Sequence, residues 1–559
     1  MASTFHGLEI AKRGMSTQQA ALYTTGHNIA NANTPGYSRQ RVNFSQTEPY
    51  PAPSLNRPQI PGQMGTGVQA GSIQRMRDSF IDNQFRGENN KLGYWSAKSQ
   101  ALSSMETIMN EPTEQGLANT MDQFWKSLQD LSVTPQDSGT RSVVRQRGQA
   151  VADTFNYLSS SLSAIKENYK TEIDVTQKAV NSIIKQINDV NGQIGDTEVH
   201  GYLPNDLYDK RDLLLDELST YMNIKIEAKP SGSLADAGAE GKFNIYLADN
   251  NGNVLKDDAG NPIKLVDGTT KESYGFSIHY DSSQSDNPVS KIAILKLHQD
   301  GGGFDGFELD PSDPANAVNS LSSFEKFKNS SSGSLISHIE SYGYKSDDGT
   351  TKGLYPDMMK KLDEMAFTFA QKFNDIHRTG WSTKELETGI KDGKDFFAFE
   401  GESAPTNLDP SGAAKGLIIS KDILESTDHI AASSAADENG IIPADQAFAG
   451  SGSNAGALAN VKDAVLEYGG ATSTVTSFYQ SIIGDMGVKA SQANQMTKNT
   501  QVLAESALTR RESVSSVSLD EEMTNMIKFQ HAYNAAARNI TMVDEMLDKI
   551  INSMGLVGR

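Results

Sequence analysis

Leu8, Met15, Leu22 and Ile29 recur every seven residues, with Phe5 and Ala11 beside them. A second stripe runs through Leu519, Met526, Tyr533, Ile540, Leu547 and Met554, flanked by Phe529, Ala536, Val543 and Ile550. Sustained spacing of seven predicts a helix packed in coiled-coil fashion on another helix. Ser518-Leu-Asp-Glu521 has the form of a capping box and starts the second of these helices there. From Gly14 to Ser38 there is no Asp, Glu, Lys or Arg, and from Phe529 to Val543 only Arg538. A helix facing water carries charges on its outer face. These two carry Gln18, Gln19, Thr24, Thr25, Asn28, Gln530 and Asn534 instead. Uncharged polar groups tolerate burial when hydrogen-bonded, whereas lone charges do not. Both chain ends are therefore expected to be buried in an assembly.

Between the ends, Val151, Phe155, Leu158, Leu162, Ile165, Tyr169, Ile173, Thr176, Val180, Ile183, Ile187, Val190 and Ile194 follow four-three spacing with one stutter at Ile165–Ile173. This predicts a helix or helix pair of about forty residues, far above the usual length. Met358, Leu362, Met365, Phe369, Phe373 and Ile376 form another amphipathic run, and Val475, Tyr479, Ile482, Met486, Ala493, Met496, Leu503 and Ala507 a third. Phe243–Leu247, Phe276–Tyr280 and Ile292–Leu297 alternate as strands, separated by turn-forming clusters such as Asp249-Asn-Asn-Gly252. The expected fold class is α+β and multidomain: terminal helices paired as a coiled coil, a long-helix bundle and inserted mainly-β domains. Residues 1–45 with 515–559 would form the terminal-helix domain. Residues 46–225, 350–385 and 455–514 would form the helical domain, 226–350 an inserted β domain, and 386–454 a second small insertion holding Phe396-Phe-Ala-Phe399 and Leu417-Ile-Ile419.

Composition narrows the function classes. A chain of 559 residues accommodates about three to five domains. Its net charge of −20 disfavours binding to phosphate backbones, so no nucleic-acid partner is expected. Most of that charge falls in residues 231–350 and 381–450, while the ends are nearly neutral. With no cysteine there is no disulfide, thiol nucleophile or zinc finger. No apolar run reaches the ~18 residues of a membrane span, and the start lacks the apolar core of a Sec leader.

Candidate chemistry is sparse. The histidines have no HExxH-type spacing, and no metal or cofactor is expected. Gly36-Tyr-Ser-Arg-Gln40 and Gly401-Glu-Ser-Ala-Pro405 both miss the nucleophile elbow. Gly241-Lys242 is followed by Phe243 and is no phosphate loop. Asp249–Asn253 begins like a calcium loop but has Val254 and Gly260 where Gly and Glu are required, so it reads as a hairpin turn. Asp300-Gly-Gly-Gly-Phe-Asp305 occurs once and makes no repeat. Asp347-Asp348 reads as loop and Glu521-Glu522 as a helix first turn, where negative charge suits the dipole. No catalytic residues are assigned.

Asn28-Ile-Ala-Asn-Ala-Asn-Thr-Pro-Gly-Tyr37 must end a helix and turn the chain, through Asn31, Asn33, Thr34, Pro35, Gly36 and Tyr37. This stretch resembles the N-terminal signature of bacterial flagellar axial proteins, the rod, hook and hook-associated group. Leu519 to Tyr533, through Asn539 and Asp544-Glu-Met546, resembles their C-terminal helix. Pro204-Asn-Asp-Leu-Tyr-Asp-Lys-Arg-Asp-Leu-Leu-Leu215, Phe124-Trp125 with Arg141–Gly148, Tyr37-Ser-Arg-Gln40 and Phe373–Gly380 narrow the resemblance to the hook-associated protein 1 family. It covers roughly residues 1–225 and 335–559. The resemblance implies a non-catalytic subunit that polymerises with its own kind at the hook tip. Its other partners would be the hook protein, the second hook–filament junction protein, and a cytoplasmic export chaperone holding the C-terminal segment. It implies an extracellular place on the flagellum, reached by type III export without a cleaved signal. The residues expected at the assembly interface are Leu8, Met15, Leu22, Ile29, Leu519, Met526, Tyr533, Ile540 and Leu547. A hook or rod protein shares the terminal signatures and stays open as an alternative, as does a secreted wall hydrolase on an axial tail.

Overall fold

The computed structural model describes residues 5–51, 62–109, 116–257, 259–284, 286–297, 317–321, 324–400, 405, 409–434 and 447–553. The stretch 298–316, residues 401–404 and Met554 thus lie outside the described residues.

The four-three pattern at 151–194 belongs to one continuous helix, Ser138–Glu198, of 61 residues. At 1.5 Å per residue it is about 90 Å long. It starts earlier than its apolar stripe because Asp137 caps it, accepting from Gly139 N and Thr140 N. Its buried stripe runs from Val144 to Ile194. The other two apolar runs lie in helices Leu354–Thr379 and Val475–Ser515. Helix Ser79–Met109 has no counterpart in the sequence reading. Its first half buries Asp82, Arg86, Asn90 and Gly93, so no apolar stripe announces it.

The anticipated strands Lys242–Leu247, Glu272–Tyr280 and Val289–Lys296 join Ile224–Lys229, Lys264–Asp267, Ala317–Leu321 and two short strands, 344–345 and 351–352, in one sheet. Its pairings are antiparallel, apart from the parallel contact of Val289 with Tyr344. Asp249 makes the expected turn, its Oδ1 accepting from Asn251 N and Asn253 N. Three asparagines of the long helix hold the sheet. Asn181 donates to Phe276 O at 2.9 Å and accepts from Phe276 N at 2.7 Å. Asn188 donates to Lys271 O, and Asn191 donates to Phe243 O and accepts from Phe243 N.

The sheet and the helices share one core. Phe396 and Phe397, from the stretch read as a second insertion, pack on Phe124 and Phe373 of the helical body. His377, 1% exposed, is committed to the same region: its rings contact Phe396, and it bonds Lys394 O and Ala431 N.

Helix Asn205–Tyr221 crosses helix Ser79–Met109 so closely that a Cβ at Gly93 would lie 2.3 Å from Thr220 O. Ala in place of Gly inside a helix is ordinarily worth about 1 kcal/mol of added stability. Here the backbone contact reverses the sign, and Gly93→Ala should destabilise by about 2 kcal/mol. Chemical denaturation of the purified variant measures it, and a stability gain would contradict the contact.

Candidate assembly site at the root of the terminal helices

The terminal unit is built from helix His6–Ala30, the hairpin Gln40–Gln46 with Val68–Arg75, and helix Leu519–Ser553. The two helices pair antiparallel in one register. The Cβ position of Gly7 lies 3.7 Å from Val543, that of Gly14 lies 3.9 Å from Ala536, and Asn28 bonds Glu522. Gly7, Gly14 and Asn28, with Ala21 buried at the same spacing, thus hold the seam of the first helix. Leu8, Met15, Leu22 and Ile29 sit one residue later, half-buried beside it. On the second helix Met526, Tyr533, Ile540 and Leu547 lie on the half-buried side, whereas Leu519 is 48% exposed. Glycine and polar side chains at the seam let the backbones approach, and the larger side chains of the first stripe flank the contact. Thr17 Oγ1 reaches Val68 O at 3.1 Å, which fastens the first helix to the hairpin.

The helix stops at Ala30, where Asn31 N bonds back to His27 O. Thr34 Oγ1 donates to Asn31 Oδ1, and Thr34 O accepts from Tyr37 N. Gly36 has φ +79 and rests on Leu213, where a Cβ would lie 3.4 Å from that side chain. A positive φ at this close approach calls for glycine. Asn33, Thr34 and Pro35 are exposed.

Asn28, 1% exposed, uses all four of its bonds. It donates to Gln40 O at 2.8 Å and to Glu522 Oε2 at 3.0 Å. It accepts from Gln40 N at 2.9 Å and from Tyr37 OH at 2.8 Å. With the Tyr37 proton given to Asn28, His27 Nδ1, 3.0 Å away, must donate to the phenol oxygen. Burial, then the carboxylates of Asp206, Asp209 and Glu522, push the Tyr37 hydroxyl up out of its ordinary range. Arg39 grips Glu522 Oε1 at 2.8 Å and Glu521 at 2.7 Å, and its N–H donates to Ser515 O. One asparagine therefore joins both terminal helices, the turn and the hairpin.

The segment 204–215 forms the opposite wall. Ser38 N donates to Asp209 Oδ2 at 2.9 Å, Gln40 Nε2 to Asp206 Oδ1 at 2.9 Å, and Asn205 Nδ2 to Ile73 O at 2.9 Å. Behind it lies a buried charge cluster. Arg75 meets Asp209 at 2.8 Å, and both Asp212 and Glu240 at 2.6 Å. Arg77 pairs with Asp82, Arg86 with Asp212 and Asp216, Arg211 with Glu240, and Arg511 with Asp216. Burial disfavours ionised Asp212, yet the guanidiniums of Arg75, Arg77, Arg86 and Arg211 hold its carboxyl well below the usual carboxylate range. Burial pushes Asp209 upward, which Arg75 and the Ser38 N–H offset only in part. Arg211, wholly buried, is pushed down to about 10 by burial against the pull of Asp212 and Glu240, and stays charged at neutral pH.

The sequence reading had the turn, Ser38–Gln40 and Asn205–Asp212 as separate segments, and here they touch. It passed over Arg75, Arg77, Arg86, Glu240 and Arg511, which carry no periodic signal. Among the described residues no group of three or more His, Cys, Asp or Glu side chains is arranged to hold a metal ion. Among them, too, no helix is long and apolar enough to cross a membrane.

Comparison with known proteins agrees with this layout. Residues 102–303 match the family model of the flagellar hook-associated protein FlgK helical domain. Residues 8–37 match that of the flagella basal body rod protein, and 511–554 that of the flagellar basal body rod FlgEFG protein C-terminal. The chain is 43% identical to flagellar hook-associated protein 1 of Bacillus subtilis (strain 168), over 100% of both chains. It is 24% identical to that of Escherichia coli (strain K12), covering 97% of this chain and 98% of the other. Its fold is similar to the flagellar hook junction protein FlgK from Burkholderia pseudomallei, with TM-score 0.56 and 13% identity over 78% of this chain and 100% of that one.

Proposed function

The chain belongs to the flagellar hook-associated protein 1 family, as a structural subunit of the hook–filament junction, and from this premise we propose that it polymerises through its paired terminal helices. The observation that carries this reading is the composition of those helices. They leave Tyr23, Met523, Ile527, Met542 and Met546 exposed, and they carry no Asp, Glu, Lys or Arg from Gly14 to the end of the first helix and only Arg538 from Phe529 to Val543. Exposed apolar side chains on a long unpartnered helix pair call for further helices to cover them. In the assembled tube those helices come from neighbouring copies. The hook protein lies on one side and the second junction protein, which carries the filament, on the other. Before assembly a cytoplasmic export chaperone covers the C-terminal segment, and the chain leaves through the flagellar type III channel without a cleaved signal. The absence of cysteine suits a chain threaded unfolded into oxidising surroundings. Its role is mechanical and not catalytic.

Leu22→Asp or Ile540→Asp places a charge on the half-buried sides of the helix pair. Either variant should keep the folded body, seen as a protease-resistant core, and lose incorporation at the hook tip and motility. A motile strain carrying either change overturns the reading.

A further inference from the structure

The terminal unit and the body are joined covalently at only two places, residues 76–78 and 515–518. Both are flanked by the same charge cluster. Arg75 borders the first crossing and Arg77 lies within it, while Arg511 stands on the body side just before the second. The carboxylates that receive them, Asp82, Asp209, Asp212 and Asp216, come from the two body helices Ser79–Met109 and Asn205–Tyr221, while Glu240 comes from the loop that leads into strand Lys242–Leu247. Five arginines face five carboxylates, so the cluster is neutral within a chain of net charge −20.

An apolar joint of this size would hold the two parts together but allow them to slide and tilt, because dispersion contacts have little direction. Forked N–H···O contacts are directional and lose their bonds on small rotations. A buried ion-pair cluster adds little net stability over apolar packing, but it selects one geometry. Arg75 illustrates this: 5% exposed, it contacts carboxylates from two body elements at once, at 2.6 to 2.8 Å. Arg77, in the crossing itself, reinforces it with Asp82 at 2.8 Å and Asp212 at 3.5 Å, while Arg511 with Asp216 at 2.5 Å braces the body helices behind it.

We propose that this arginine–carboxylate cluster is an angle-setting clamp, which fixes the terminal helix pair at one tilt to the body. It rests on the reading of those helices as the assembly segment. In a tube each subunit must present its helices at the same angle to its neighbours, and the clamp supplies that constancy before assembly begins.

The native chain has no cysteine, so Ser16→Cys on the first helix and Gln186→Cys on the long helix give two clean spin-label sites, both exposed. Pulsed electron–electron distance measurement on the full chain should give a single narrow distance. Arg75→Met should replace it with a broad distribution while circular dichroism is retained. Should that variant fail to fold, Arg77→Met with Asp82→Leu removes one charge of each sign at the first crossing and should broaden the distance too. A narrow, unshifted distance in the folded variants overturns the clamp, as does a broad distance in the native chain. Polymerisation of the same variants separates the two ideas. Broad distances with polymerisation lost support both, whereas broad distances with normal polymerisation leave the clamp standing and count against the helix pair as the assembly segment.

Discussion

Asn28→Asp should release the terminal helices from the root of the molecule while the body stays folded. The substitution keeps the shape of the side chain and changes only its bonding. Asn28 Nδ2 now donates to Gln40 O and Glu522 Oε2. In the variant a carboxylate oxygen faces that carbonyl and that carboxylate with nothing to donate. The site is 1% exposed, so water does not compensate. Two lost donors at about 1–3 kcal/mol each, with a buried like charge added, give a penalty of about 4 kcal/mol. Arg39 relieves little of it, being already engaged by Glu521 and Glu522. Hydrogen exchange should accelerate across 6–30 and 519–553 and stay slow in the long helix. Acidification that protonates the new carboxyl restores one donor, so the protection factors, taken against the intrinsic exchange rate at each pH, should rise again at low pH. Native exchange rates at neutral pH would show that the four bonds of Asn28 do not fasten this root.

Asp212→Asn should cost the body about 3–5 kcal/mol, the range for removing one partner from a buried pair. Asp212 receives Arg75 at 2.6 Å and Arg86 at 2.9 Å, with Arg77 at 3.5 Å. An amide leaves those guanidiniums without their central counter-charge. The pH dependence carries a sign. The folded carboxyl is held below its unfolded value, so on acidification the unfolded chain takes up the proton first. The contribution of Asp212 is complete above about pH 4, the ordinary Asp value, and fades as the pH falls through the depressed folded value. The stability gap between native protein and Asp212→Asn should therefore be large at pH 7 and shrink steadily below about pH 4. Parallel urea titrations at the two ends of that range measure it. A gap that grows on acidification would mean Asp212 is protonated in the folded protein.

The sequence made apolar structure legible and polar structure much less so. The long helix was visible wherever its stripe was apolar, from Val151 to Ile194, and invisible from Ser138 to Ala150, where a cap and arginines continue it. Helix Ser79–Met109 was missed because its inward face opens with Asp82, Arg86 and Asn90, residues that periodicity assigns to solvent. On the first terminal helix the seven-residue repeat was plain, but the seam runs through Gly7, Gly14, Ala21 and Asn28, one position before the apolar stripe. Small and amide side chains make that contact, and hydrophobicity does not register them. The root was half legible: its segments stood out singly, yet Ser38 and Asp209 are 171 residues apart in sequence. A contact made by a backbone N–H and a carboxylate leaves no pattern along the chain.

The attachment of the β sheet also bears on how this family can vary. Asn181, Asn188 and Asn191 bond main-chain atoms of Phe276, Lys271 and Phe243 and none of the side chains on the sheet's far face. A strand that keeps its backbone in place, with Gly275 beside Asn181, satisfies them. Exposed positions of the sheet such as Lys291 and Lys296 are thus free to vary with whatever the flagellum meets, with the mooring to the long helix unchanged.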